Sequence, residues 1–264
     1  MIVDKTVAVL KKDLLTAIRY RNGFVLNTIA PAAQLATFYY LARAVGPQFR
    51  PEGMPYFLFL LIGTGFYNFL LTGTYSFLRT IQEAQQSGTL EVLMTTSTRP
   101  EVLLGLSAVS AFCNAFVQLL FYVGVGSVLF VRGVHINFFA TALVFTLSVL
   151  VATAIGMVAA GLQISIHKGS TVLWALGSSS WLLAGTLFPV AALPRPVQVV
   201  SNLLPFTHSL AGMRLAMLQP LSSTALQGEI GMLLLCALVL APISIVFFSW
   251  TVRRARQLGT LSFY

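Results

Sequence analysis

Residues 83–105 read EAQQSGTLEVLMTTSTRPEVLLG and lie between two long apolar runs. A loop that only joins two membrane helices needs far fewer residues, so this polar, helix-forming segment requires another reason. Residues 80–86 are polar and helix-compatible, continuing the preceding helix beyond its apolar part. Gly88 permits a sharp change of direction, because glycine enters left-handed backbone without steric cost. Leu90, Leu93 and Met94 follow at i, i+3 and i+4 and make a short apolar stripe, with Glu91 on another face. Thr98 and Glu101 have the spacing of a capping box, and Pro100 suits a first helical turn. A new helix is therefore expected from Thr98. The segment reads as helix, elbow, short amphipathic helix and fresh start.

The flanks decide what kind of protein carries it. Of 264 residues, 57% are hydrophobic and 9% charged, against roughly 25% charged in soluble domains. Mean hydropathy is +0.85. Apolar runs of roughly 20 residues, the length that crosses a bilayer, recur along the chain. They are continuous, not alternating, which excludes a β-barrel. The expected fold is an all-α polytopic membrane protein with six transmembrane helices, at residues 24–45, 56–78, 101–131, 136–162, 171–190 and 229–250.

With both termini cytoplasmic, the inside segments hold Lys5, Lys11, Lys12, Arg19, Arg21, Arg79, Arg99, Lys168, Arg253, Arg254 and Arg256. Outside lie Arg43, Arg50, Arg132, Arg195 and Arg214. Eleven against five follows the positive-inside rule and sets the orientation in a cell (inner or plasma) membrane. The transmembrane domain then spans 23–252, with residues 80–98 as a cytoplasmic insert and 192–228 as an outer segment. Residues 253–264 form a cytoplasmic tail. The net charge of +9 is accounted for by this asymmetry, and no nucleic-acid partner is expected.

Residues 1–22 are expected to form an interfacial helix. Val3, Val7, Leu10, Leu14 and Ile18 share one face, with Lys5, Lys12 and Arg19 roughly opposite. Such a helix lies on the cytoplasmic surface against membrane lipids. Asp4, Lys5, Lys11, Lys12 and Asp13 interrupt any signal-peptide core. Cys113 and Cys236 fall inside spans and read as packing residues.

Absences narrow the function. All seven acidic residues, Asp4, Asp13, Glu52, Glu83, Glu91, Glu101 and Glu229, lie outside the spans or at their ends. An ion-coupled carrier usually keeps an ionisable group within the membrane, so this counts against that class. His135, His167 and His208 are isolated and lack metal-ligand spacing, reading as interfacial polar side chains. No nucleophile, metal cluster or carboxylate pair can be assembled in the spans, which argues against a membrane enzyme. Nor is there a phosphate-binding loop, so energy for uphill transport must come from a partner.

Two polar stripes interrupt the apolar helices. Thr64, Asn68 and Thr72 recur at i, i+4 and i+8 on the second span and are candidates for a substrate pathway. Ser107, Ser110, Asn114 and Gln118 line the third, where hydrogen bonding between helices is the plainer account. Gly169, Ser170, Gly177, Ser178, Ser179, Ser180 and Gly185 make the fifth span small enough for close helix approach, which suits a subunit interface. In the outer segment Pro194, Pro196, Pro205 and Pro220 break residues 193–220 into two short amphipathic helices. One presents Val197, Val200 and Leu204, the other Phe206, Leu210, Met213 and Met217. Neither is long enough to span, so both are expected to dip into the outer leaflet as re-entrant helices.

The run GTLEVLMTT at 88–96, followed by RPEVLLG at 99–105, resembles the signature loop of type-2 ABC transporter permeases. Glu83, Gly88, Thr89, Leu90, Glu91, Leu93, Glu101 and Gly105 match that pattern; Gln86 and Ser97 depart from it. LPRPVQVVSNLLPFTHSLAGMR at 193–214 is similar to the family's outer segment between spans five and six, ending in Arg214. The resemblance implies a permease subunit of an ATP-driven exporter. Two copies would pair as a homodimer, each receiving one ATP-binding cassette subunit that carries the ATP and Mg. No cofactor would reside in this chain. Glu83, Gly88, Thr89, Leu90, Glu91, Leu93 and Met94 would form the coupling helix and its elbow. The cargo would be an amphiphile: a lipid, a lipid-linked glycan or a drug. A carrier or channel working without an ATPase, and a non-transporting scaffold, remain as alternative readings.

Overall fold

The computed structural model describes residues 21–89, 100–130, 137–166, 168–218, 220 and 222–258. The interfacial helix expected over 1–22 falls almost wholly outside them, as do the Leu90–Met94 stripe, Thr98, His135 and His167. Regular structure among the described residues is entirely helical. In chain order the α-helices are α1 (Arg21–Val45), α2 (Tyr56–Gln86), α3 (Pro100–Phe130), α4 (Phe138–Ile166), α5 (Gly169–Leu183), α6 (Arg195–Leu203), α7 (Pro205–Leu218) and α8 (Thr224–Leu258). Short 3-10 turns at Pro51–Gly53 and Val190–Ala192 complete the set.

Among the described residues four helices, α2, α3, α4 and α8, are long and apolar enough to cross a membrane. They correspond to the second, third, fourth and sixth of the expected crossings. The first expected span is helical, with Pro31 inside it. The fifth was expected to run to residue 190 and stops at Leu183. Ala184 N–H closes on the Ser180 carbonyl at 2.7 Å, and Gly185 then turns the chain with φ +77°. Its 15 residues reach about 22 Å at 1.5 Å each, short of a hydrocarbon core of ~30 Å.

Helix α2 is the centre of the bundle. Its apolar window is 83% buried, whereas that of α8 is 17% buried and presents Leu234, Leu235, Leu238 and Val246 outward. Phe59, Leu60, Leu61, Leu70 and Ile81 of α2 are fully enclosed. Where α2, α3 and α4 meet, Phe69 packs on Phe112 and Phe145, with ring centroids 5.5 and 4.9 Å apart. Asn137 caps α4 by accepting the Ala140 N–H at 3.2 Å.

The outer prolines act as expected and give two short helices, α6 and α7. Phe206, Leu210 and Met213 of α7 are buried, as their spacing predicts. On α6 the expected face is turned: Val200 is exposed, and Ser201 points inward to donate its hydroxyl to the Leu183 carbonyl. Helix α8 continues past residue 250 and carries Arg253, Arg254 and Arg256 in its last turns. The Arg254 guanidinium lies 5.2 Å over the Trp250 ring, an aromatic–basic pairing that suits a membrane–water boundary.

Candidate functional site

Helix α2 runs unbroken for 31 residues from Tyr56 to Gln86, so it carries the second span and the polar extension as one rod. It ends in a two-bond stop. Thr89 N–H reaches back to the Ala84 carbonyl at 2.9 Å and Gly88 N–H to Gln85 at 3.1 Å, with Gly88 at φ +66°. That pattern needs left-handed backbone at residue 88, which is why glycine stands there. The Ser87 hydroxyl donates to the Glu83 carbonyl at 2.7 Å and lies 2.8 Å from the Thr89 hydroxyl. The structure therefore brings Glu83, Gly88 and Thr89 together at an exposed helix end. Leu90, Glu91, Leu93 and Met94 lie outside the described residues.

The Thr64–Asn68–Thr72 stripe does not stay on one face. Each step of four residues advances about 40° around the helix, and the drift separates its members. Thr64 is fully buried with no hydrogen-bond partner for its hydroxyl, while Asn68 and Thr72 are exposed. Asn68 joins Tyr67, Leu71 and Tyr75 along one wall of an open groove of about 350 Å³. The facing wall is α5, with Trp174, Gly177, Ser178 and Trp181. Tyr67 ties the two walls by donating its hydroxyl to the Gly177 carbonyl. The lining has four aromatic rings and no charged group. Neither Thr64 nor Thr72 lines it, and the aromatic walls were not singled out from the sequence.

At the Tyr56 end of α2 the structure assembles a charged cluster that sequence reading dispersed. Arg214, expected as an outside basic residue, is 2% exposed. Its guanidinium lies 3.5 Å over the Phe59 ring. Nη2 donates to the carbonyls of Gly185 at 2.7 Å and of Thr186 and Phe59 at 3.4 Å each, and Nη1 lies 3.9 Å from Glu52. Gly63 makes the room: a Cβ there would sit 2.2 Å from Nη2. Burial pulls the Arg214 guanidinium down to about 10, with Glu52 opposing, so it stays charged at neutral pH. Burial likewise raises the Glu52 carboxyl, with Arg214 opposing and Glu229 adding to the rise.

His208 is not isolated. Nδ1 meets Glu229 at 2.7 Å and Nε2 meets the Asn202 carbonyl at 2.8 Å. With an acceptor at each ring nitrogen, the arrangement favours the doubly protonated ring. The hydrogen bond to Glu229 raises the imidazole above its ordinary value, against desolvation. The only sequence signal for this pair was a helical acid, Glu229, following the histidine by 21 residues. Among the described residues no group of three or more His, Cys, Asp or Glu could hold a metal ion.

A comparison with curated proteins found no match. Residues 4–218 match the model of the ABC-2 type transporter family. That match covers most of the chain, including the elbow, both walls of the groove and Arg214. Membrane subunits of this family are multi-pass permease components, generally without an ATPase site of their own, and work with ATP-binding cassette partners. On the family match and the all-helical, membrane-crossing fold, the chain belongs to the ABC-2 type transporter family.

Proposed function

We propose that this chain is the permease subunit of an ATP-driven exporter and that residues 80–98 are the coupling segment worked by the ATPase. The observation that carries the reading is the unbroken α2 rod, buried through the bundle and ending in the Gly88 stop beside Glu83. A rod of that kind delivers a push at one end to everything packed along it. Energy arrives as rigid-body motion, with ATP and Mg on the partner. Two permease copies pair as a homodimer, and each receives one ATP-binding cassette subunit. In such an assembly α1 crosses, and α5 crosses together with the turn and residues 186–192 that prolong it, which gives six spans, with both termini in the cytoplasm of a cell membrane. The exposed Ser178–Ser179 face of α5 is the surface a second copy would cover.

Cargo would meet the α2–α5 groove at Asn68. Aromatic faces with a few neutral polar groups suit an amphiphile with a large apolar part: a lipid, a lipid-linked glycan or a drug. The test is purification of the tagged chain from membranes in mild detergent, from wild type and from Glu91→Ala. The wild type should bring a P-loop ATPase in equal proportion, and Glu91→Ala should lose it while the chain remains folded. Transport by the chain alone under an ion gradient would replace this reading with a carrier. A bound partner without transport would replace it with a scaffold.

A further inference from the structure

Gln163, near the end of α4, sits where three helices converge. Its Nε2 donates to Gln85 Oε1 at 3.1 Å, and its Oε1 accepts the Gly169 N–H at 3.1 Å. Gln85 and Gln163 are 4% and 7% exposed. Gln85 belongs to the last turn of α2, next to the Ser87–Gly88 stop. Gly169 is the first residue of α5, so the bonded amide is one of that helix's first-turn N–H groups, which have no partner within the helix. The backbones are pressed together here: a Cβ on Gly169 would lie 2.4 Å from the Ala159 carbonyl and 2.8 Å from Gln163 Cβ. A buried relay of neutral amides fixes geometry without a desolvated charge.

Between its two ends α5 is lightly held. Leu173 packs on Leu78 and Ala159, Tyr67 reaches Gly177, and Trp174, Trp181 and Leu182 are exposed. By contrast α2 and α4 are joined along their length, with the Thr74 hydroxyl 3.3 Å from the Ala152 carbonyl and both helices in the main core. The pair α2–α4 behaves as one body, and α5 is a wall joined to it at its cytoplasmic start and tied at its other end by Ser201 on the Leu183 carbonyl and Arg214 on the Gly185 carbonyl.

We propose that Gln163 is a positioning residue fastening the cytoplasmic end of α2 to the start of α5 through Gln85 and the Gly169 amide. A displacement delivered at the elbow is thereby passed to the Trp174–Trp181 wall of the groove. The source of that displacement rests on the function proposed above; the fastening does not.

Hydrogen–deuterium exchange of the complex with its co-purified ATPase in nanodiscs tests both parts, comparing the resting state with the ADP–vanadate-trapped state. At rest, peptides covering residues 169–172 are protected in the wild type, and Gln163→Leu raises their exchange about tenfold. Trapping changes exchange across residues 169–183 in the wild type, and Gln163→Leu abolishes that change. Gln163→Glu keeps the acceptor for Gly169 and can take a hydrogen bond from a rotated Gln85 amide, so it restores both readings. Gln85→Leu separates fastening from mere stability: residues 169–172 stay protected at rest, yet the trapping response of 169–183 disappears. A normal response in Gln85→Leu, or wild-type protection of 169–172 in Gln163→Leu, overturns the proposal. If no ATPase co-purifies with the wild type, the proposed function fails, while the resting comparison still decides whether Gln163 holds Gly169.

Discussion

Helix α2 is held by charge at its Tyr56 end, the outer one in the orientation proposed above, and by neutral amides at its Gln86 end, the inner one. At the first, the Arg214 guanidinium lies on Phe59, binds the Gly185 and Thr186 carbonyls and faces Glu52. At the second, Gln163 donates to Gln85 and accepts the Gly169 N–H. Removing one partner of a buried charged contact typically costs about 3–5 kcal/mol, whereas a neutral hydrogen bond is worth roughly 1 kcal/mol net. The outer end is thus the stronger anchorage and the inner end the one that can be displaced. A rod pinned at one end and driven at the other is a lever; on the function proposed above, the Gly88 stop lies at the driven end.

Arg214→Met gives the sharpest way to break this contrast. It strips the Gly185 and Thr186 carbonyls of their donor and leaves Glu52 without its cation, so a loss of about 3–5 kcal/mol is expected. At ~2–4 °C per kcal/mol for a chain of this size, the melting midpoint in detergent should fall by roughly 10 °C. Gly63→Ala should destabilise by the same route, since its Cβ would meet Nη2 at 2.2 Å and the Thr186 carbonyl at 2.8 Å. A melting point within a degree or two of wild type in both variants would show that the outer end is not an anchor.

A smaller effect on folding but a larger one on partnership is expected at the inner end. Gly88→Ala forces a side chain into φ +66° at a cost of about 1–2 kcal/mol, which an exposed helix end can relieve in part by unwinding. Melting should therefore shift by only a few degrees, while the amount of co-purifying ATPase drops. An unchanged ATPase yield would mean that the stop does not position the segment beyond it.

The smallest effect concerns the His208–Glu229 pair. His208 is raised above 6.5 in the folded chain. Its stabilising contribution is complete below that value and is lost as pH rises through the raised one. The wild type should melt about 2–4 °C lower at pH 8.5 than at pH 6, and Glu229→Gln should flatten the difference. Glu52, also raised by burial, acts in the same sense, its contribution being lost as pH rises through its raised value. A pH dependence that survives in Glu229→Gln would assign the effect to a group outside the His208–Glu229 pair.

Local rules made part of this legible in the sequence. The polar continuation of α2 to residue 86, the turn at Gly88 and the proline-bounded outer helices follow from backbone preference and helical period, and all are present. The end of α5 was misjudged because the apolar run continues through Leu187 and Phe188, while Gly185 and Pro189 end the helix regardless. The Thr64–Asn68–Thr72 stripe was ambiguous because four-residue spacing drifts around a helix, and only packing reveals where it turns inward. Pairings between distant residues left no local trace. Arg214 and Phe59 are 155 positions apart, and Gln85 and Gln163 are 78 apart. A buried arginine in an outer segment looks, as sequence, like any other outside charge.

The most direct test of the lever is a photo-crosslinking amino acid placed at residue 91 and irradiated in intact membranes, with the adducts identified by mass spectrometry. An adduct with a P-loop ATPase, formed from the cytoplasmic side, is the predicted result. No ATPase adduct, together with labelling of residue 91 by a membrane-impermeant reagent added from outside, would contradict it.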